Sequence, residues 1–234
     1  MSEDHFQRIY RAHAAEYDLM VRREDYQGNL PRALDAICPP DGLDVVEMGA
    51  GTGRLTRLIA PRARSVIATD AEPHMLETAA ASLAAMGLRN VRLITARNDA
   101  LPLPAACADL AIEGWSFGHF NFGPAAEWRA AVEPAIAEMQ RVLRPGGTAV
   151  LIETLGTGVE TPHPPTPELA AFYAYLEGER GFRHRWVRTD YRFESVEEAE
   201  RLTRFFFLDD LADRVKREGL VILPECTGIW WRTF

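Results

Sequence analysis

The 234 residues, 47% of them apolar, suffice for one well-cored domain with an appended piece and are too few for two ordinary domains. With 34 acidic against 26 basic residues the formal charge is −8, spread without long acidic runs, which argues against a general affinity for nucleic acid or anionic membrane and favours a small-molecule partner. Cys38, Cys107 and Cys226 stand far apart with no CxxC pair, so neither a disulfide framework nor a zinc site is suggested and no metal is assigned.

In chain order, residues 1–20 are charged throughout, and no stretch supplies the ~18 consecutive apolar residues of a membrane span. A cytoplasmic protein, monomeric or homodimeric, is expected. Residues 4–22 and 29–38 read as two helices, the first without an internal glycine or proline. From about residue 43 to 154, short apolar runs alternate with helical patterns, the rhythm of βαβ units. Strands are predicted at 43–48, 65–70, 91–96, 109–114 and 148–153, each apolar on both faces as buried parallel strands are. Pro73 suits a first helical position ahead of Met75, Leu76, Ala79, Ala80 and Leu83, and Gly87 ends that helix. Trp128, Val132, Ile136, Met139 and Leu143 predict a longer helix, closed by Arg-Pro-Gly-Gly at 144–147. Residues 156–167, rich in proline and glycine, read as an ordered loop, followed by a helix near 168–179 and an extended stretch at 183–193. Ser195 and Glu198 form a capping box that opens a helix running to about Glu218, and the aromatic, β-branched residues at the end predict a last strand.

The chemistry concentrates after the first strand, in VVEMGAGTGRLT at 45–56. A dinucleotide fingerprint needs glycines at G-x-G-x-x-G, but here Arg54 holds the sixth position and Gly53 comes one residue early. A Walker loop is excluded more firmly, because no lysine follows the last glycine. What remains is Glu47-x-Gly49-x-Gly51-x-Gly53 at the end of a first strand. Glycine permits positive φ and close backbone approach to a bulky ligand, and an acid at the strand end favours a cationic amino-acid group. Asp70 ends the second strand, where a carboxylate can accept from two ribose hydroxyls, and Asp99 follows the third. In open α/β sheets ligands sit beyond the carboxyl ends of the strands, where all three acids fall.

These residues resemble the S-adenosylmethionine motif of class I methyltransferases. The likeness extends to LPLPAACADLAIEGWSFGHF, to MQRVLRPGGTAVLIE and to the amino-terminal YRAHAAEYDLM, covering roughly residues 8–154. It implies a Rossmann-like α/β fold, a doubly wound, mostly parallel seven-stranded sheet with an antiparallel sixth and seventh strand and a helical cap. It implies S-adenosyl-L-methionine as methyl donor, leaving S-adenosyl-L-homocysteine. The expected cofactor residues are Tyr17, Glu47, Gly49, Ala50, Gly51, Gly53, Asp70, Ala71, Met75, Asp99, Ala100 and Glu113, with Tyr10 and Tyr17 facing inward from a lid helix. Glu72 departs from the pattern, standing where a small residue is usual two positions after the ribose acid.

The acceptor is expected just past the fourth strand, in 113–123, where Trp115, Ser116 and His119 lie. His119, with an ordinary pKa suited to neutral pH, is the candidate general base, against the alternative of a packed structural histidine. Phe205, Phe206 and Phe207 cannot all be buried by one helix, so one or more, Phe206 among them, is expected to roof the acceptor, with His163 a further candidate. The arginines and aromatics of 180–194 read as a solvated strand face in preference to a nucleic-acid site, with a site for an anionic small acceptor as the other alternative. The expected organisation is a lid at 1–40, a cofactor core at 41–154, a cap at 155–218 and a terminal strand at 219–234. The expected function is methyl transfer to a small molecule. An RNA or protein methyltransferase, or a non-catalytic S-adenosylmethionine-binding protein, are the alternatives.

Overall fold

The computed structural model describes residues 3–121 and 128–234. The five apolar runs become β1 (Asp44–Met48), β2 (Ser65–Asp70), β3 (Val91–Thr95), β4 (Ala108–Gly114) and β5 (Leu143–Thr157). These pair in parallel in the order 3-2-1-4-5, so the chain reverses direction across the sheet between β1 and β4. That reversal opens a crevice at the carboxyl ends of β1 and β4. The sheet is completed by β9 (Glu225–Thr233), antiparallel to β5, and β6 (Arg183–Arg188), antiparallel to β9. Because β6 reverses the sense of β9, it runs with the parallel core; of the two outer strands expected to be antiparallel, the last alone is.

Helices cover both faces. α3 (Asn29–Ile37) and α4 (Arg54–Ile59) pack against the same apolar layer as Val45, Val66, Ile112, Val150, Ile152 and Ile229. On the other face α6 (Trp128–Val142) and α7 (Pro167–Gly178) meet Val46, Met48, Leu151 and Trp230. Neighbours such as Val45 and Val46, or Leu151 and Ile152, go to opposite layers because successive strand side chains alternate faces. Each such fully buried side chain contributes roughly 1.5–3 kcal/mol. α5 (Pro73–Ala85) begins at Pro73 as its sequence requires and packs on β2 and β3.

A third apolar cluster has Met20, Tyr191, Phe193, Leu202, Val215 and Leu223 at its centre. It joins α2 (Ala14–Val21) to α8 (Val196–Phe207), α9 (Asp209–Glu218) and the small hairpin of β7 (Tyr191–Arg192) and β8 (Ile222–Leu223). Two predicted helices are broken. The 4–22 helix divides at His13 into α1 (Glu3–Ala12) and α2, and the 195–218 helix divides at Leu208 into α8 and α9. Neither break carries glycine or proline, so tertiary packing overrides local propensity. The Ser195 hydroxyl accepts from Glu198 N at 3.2 Å as expected, while the returning bond goes from Glu194 N to the Glu198 carboxylate at 2.7 Å. Arg23, which follows α2, donates to both Glu194 and Glu198 at the start of α8.

Candidate active site

The turn after β1 is built by glycines with positive φ. At Gly49, φ is +70° and a Cβ would stand 2.1 Å from Ser116 Oγ, so any side chain there collides with the wall supplied by the segment after β4. At Gly53, φ is +82° where the chain enters α4, and a Cβ would press on Ala79 of α5. Gly51 N donates to Asp70 Oδ2 at 2.7 Å, and Glu72 N donates to Asp70 Oδ1 at 2.9 Å. These bonds fix the carboxylate at the mouth of the turn, while burial raises its pKa. The result is a groove lined by Tyr17, Gly49, Gly51, Asp70, Ala71, Met75, Asp99, Trp115, Ser116 and His119 among the expected residues. Phe6, Gln7, Tyr10, Glu72, Arg97, Asn98 and Gly114 line it as well. Asp99 is held in a two-pronged ion pair with Arg97, at 2.9 and 2.6 Å, which keeps its carboxyl below the ordinary range. Asn98 Nδ2 donates to Ser116 Oγ at 2.9 Å and fixes that side of the groove.

Several expected residues lie elsewhere. Glu47 is 1% exposed and sits beneath the turn, accepting from Thr56 Oγ1 at 2.5 Å; burial pushes its carboxyl up to about 7. Strand alternation explains this, since Glu47 points into the layer under α4 and does not line the groove. Glu113 is likewise fully buried, accepting from the backbone N–H groups of Ser116, Phe117 and Ile152 at 3.1, 3.2 and 3.3 Å. It organises the turn that carries Trp115 and Ser116 from below. Ala50, Gly53 and Ala100 are not in the groove wall. His163 is exposed on the proline-rich loop and lines neither this groove nor the cavity beside it. Phe122 and Gly123, the end of the predicted acceptor stretch, lie outside the described residues.

Beside the groove is a larger cavity of about 320 Å³, mostly apolar, within the range of small-molecule sites. Phe6, Tyr10, Tyr17, Trp115 and His119 line both spaces and form their common wall. The Tyr10 hydroxyl and His119 Nε2 are 2.8 Å apart, joining α1 to the short 3-10 turn Phe117–Asn121. Phe6 packs edge-on against His119 at 5.3 Å between ring centres and equally against Phe206. Burial pulls the His119 imidazole down to about 4 and pushes the Tyr10 phenol well up, so both are uncharged near neutral pH. Of the three consecutive phenylalanines, Phe206 and Phe207 line the cavity, and Phe205 turns to His13.

The cavity also takes residues outside the expected site, notably Glu24, Arg54, Glu153 and Glu225, and Tyr191 from the stretch expected to be a solvated face. Glu153 ends the predicted fifth strand and accepts from Gly118 N at 2.5 Å, and burial pushes it up to about 8. The strand-end rule that singled out Asp70 and Asp99 applies to it equally. Arg54, which in sequence stands in place of a third glycine, is the first residue of α4 and lines this cavity. Tyr191 is the one residue of 180–194 that lines either space, and the arginines Arg183 and Arg185 are exposed on the edge strand.

Residues 45–147 match the family model described as a methyltransferase domain. A demethylmenaquinone methyltransferase of Thermus thermophilus is 32% identical over 145 residues, 60% of this chain and 61% of that protein. A ubiquinone/menaquinone biosynthesis C-methyltransferase of Hahella chejuensis is 30% identical over 161 residues, 64% and 60% of the two chains. The alignments thus span about three-fifths of the length of these curated relatives. Among solved structures, a Bacillus subtilis protein superposes with a TM-score of 0.56 at 16% identity, covering 89% of this chain and 98% of its own. Across that alignment the fold is shared.

Proposed function

We infer from these findings, for a chain that carries a class I S-adenosylmethionine-dependent methyltransferase domain, that it transfers a methyl group from S-adenosyl-L-methionine to a small-molecule acceptor held in the larger cavity. One observation carries this reading: a groove floored by the glycine turn and Asp70 shares a wall with a separate apolar cavity, at Tyr10, Tyr17, Trp115 and His119. The groove's fit to the donor rests on Gly49, whose bare Cα leaves backbone open to close approach, and on Asp70, whose oxygens keep lone pairs beyond the two N–H groups they already accept.

When bound, S-adenosylmethionine supplies a methyl group on a sulfonium, transferred by in-line displacement. In this reading Asp70 would hold the ribose hydroxyls, Met75 and Ala71 would pack on the adenosine, and Asp99 would accept from the adenine amino group. Residues 1–40 act as a lid and 155–218 as a cap, closing the cavity from water and aligning the acceptor with the donor. His119 stands at the junction and is unprotonated at neutral pH, so it can take a proton from the acceptor; with its pKa lowered it is a weak base, suited to an acceptor whose proton is already acidic.

Calorimetry with purified protein tests the donor assignment: S-adenosylmethionine and S-adenosylhomocysteine should both bind at sub-millimolar concentration. Labelled-methyl transfer into a metabolite extract tests the activity. Binding without transfer to any extract component would leave a binding protein in place of an enzyme. In the same assay His119→Ala should lower transfer by more than it weakens S-adenosylhomocysteine binding; full activity would remove the histidine from the chemistry.

A further inference from the structure

Three side chains of the larger cavity, Arg54, Glu24 and Glu225, form a polar patch that neither the donor groove nor the Tyr10–His119 contact employs. Arg54 is held on two sides: Nη1 meets the Glu24 carboxylate at 2.7 Å, and the guanidinium lies 3.7 Å from the centre of the Trp115 ring. Its Nη2 is buried and has no hydrogen-bonding partner among the described residues. Glu225, at the start of β9, is 2% exposed; its Oε1 accepts from Thr154 Oγ1 at 2.8 Å, while Oε2 is a second buried atom without a hydrogen-bonding partner. Unmet buried polar atoms are rare, because each has given up its bonds to water. Here the two residues that carry them, Arg54 and Glu225, both line one cavity of ligand size.

The charge balance narrows what can meet them. The Arg54 cation is already neutralised by Glu24 in direct contact. Burial, with the Glu24 charge adding to it, pushes the Glu225 carboxyl up to about 8, and burial raises Glu153 on the same wall to about 8 as well, so both are largely uncharged near neutral pH. An incoming carboxylate or phosphate would find no cation without a counter-ion, and an ammonium would face Arg54. Either would be an uncompensated charge in an apolar space. An uncharged oxygen loses little on entry and gains the bonds that Arg54 and Glu225 leave unmade.

We propose that Arg54 and Glu225 are the recognition pair of the larger cavity and select an uncharged, oxygen-bearing head group, a hydroxyl, carbonyl or amide, on an otherwise apolar, ring-sized molecule. The proposal rests on the methyltransferase reading in calling that molecule the acceptor. Its chemistry can be measured without any methyl transfer.

The test is equilibrium binding of four probes to the full chain, with and without saturating S-adenosylhomocysteine: 2-naphthol, naphthalene-2-carboxylate, 2-naphthylmethylammonium and 2-methylnaphthalene. The naphthol should bind about tenfold more tightly than each of the others. In Glu225→Leu, and in the paired Glu24→Gln/Arg54→Met variant that leaves no lone charge, its advantage over methylnaphthalene should fall to about threefold or less. Equal or tighter binding of the carboxylate or the ammonium overturns the proposal in the wild-type protein alone, as does a cavity that takes none of the four. Retention of the full advantage in both variants, with S-adenosylhomocysteine affinity showing that they are folded, overturns it as well. If naphthol selectivity holds while S-adenosylhomocysteine fails to bind, the head-group assignment stands and the methyl-transfer reading falls; the converse result separates them the other way.

Discussion

Asp70 illustrates how a single side chain is readied before a ligand arrives. Two backbone N–H groups, from Gly51 and Glu72, hold its oxygens at 2.7 and 2.9 Å, so the carboxylate needs no reorganisation to accept further bonds. Asp70→Ala should therefore weaken S-adenosylhomocysteine binding by roughly 1–3 kcal/mol while leaving the fold intact, as read by calorimetry. Unchanged affinity would take Asp70 out of the donor site. Much of the groove was legible from sequence, because glycines at fixed offsets and acids at strand ends are local signals. Glu47 and Glu113 mark where that legibility stops. Both occupy strand ends, yet the alternation of β1 and β4 sends their carboxyls beneath the turns they support, and spacing alone does not say which face an end residue takes. The residues of the larger cavity were harder still. Glu24, Arg54 and Glu225 come from three distant parts of the chain, and packing alone brings them together.

Among the elements, the five parallel strands and most helices stand where hydrophobic periodicity puts them. The helices depart most at the two breaks, where nothing in the sequence resembles a stop. At Leu208 the backbone adopts φ +71° and ψ −168°, a region that suits glycine almost alone and costs about 1–3 kcal/mol for other residues. The turn persists because the third apolar cluster fixes α8 and α9 on either side and Arg204 bridges to Asp209 and Asp213 across it. Leu208 is itself 38% exposed, so little packing is lost by removing it. Leu208→Gly is accordingly expected to stabilise the protein by about 1 kcal/mol, seen as a higher midpoint in chemical unfolding. A lower midpoint would mean that the leucine's contacts outweigh the backbone strain. The division at His13 has a functional counterpart: it lets α1 present Phe6 and Tyr10 to the same wall that Tyr17 reaches from α2.

For the molecule as a whole, the buried carboxyls set a pH dependence. Glu47, Glu153 and Glu225 are raised by burial to about 7, 8 and 8 from an ordinary 4.5, and burial also raises Glu113 well above that ordinary value. Between those limits the folded chain holds more protons than the unfolded one, so their contribution is fully present below about pH 4.5 and is lost as pH rises through 7 and 8. His119, lowered from 6.5 to about 4 by burial, acts in the opposite sense, but its effect is complete once the pH passes 6.5. The thermal midpoint of the ligand-free protein should therefore decline from about pH 6.5 to about 8.5, by roughly 2 kcal/mol of stability per pH unit, and Glu153→Gln should flatten the decline. A constant midpoint over that interval would contradict the proposed proton balance. The order of the strands carries a different message, about which parts of the sheet open first. β6 joins the sheet through β9 alone, whereas β9 is clasped between β5 and β6. Every excursion that frees β9 therefore frees β6, while β6 can peel away by itself. In deuterated solvent the amides that bond β6 to β9 should take up label sooner than the ladders at the middle of the sheet, because the arginine-bearing edge strand can open without breaking them.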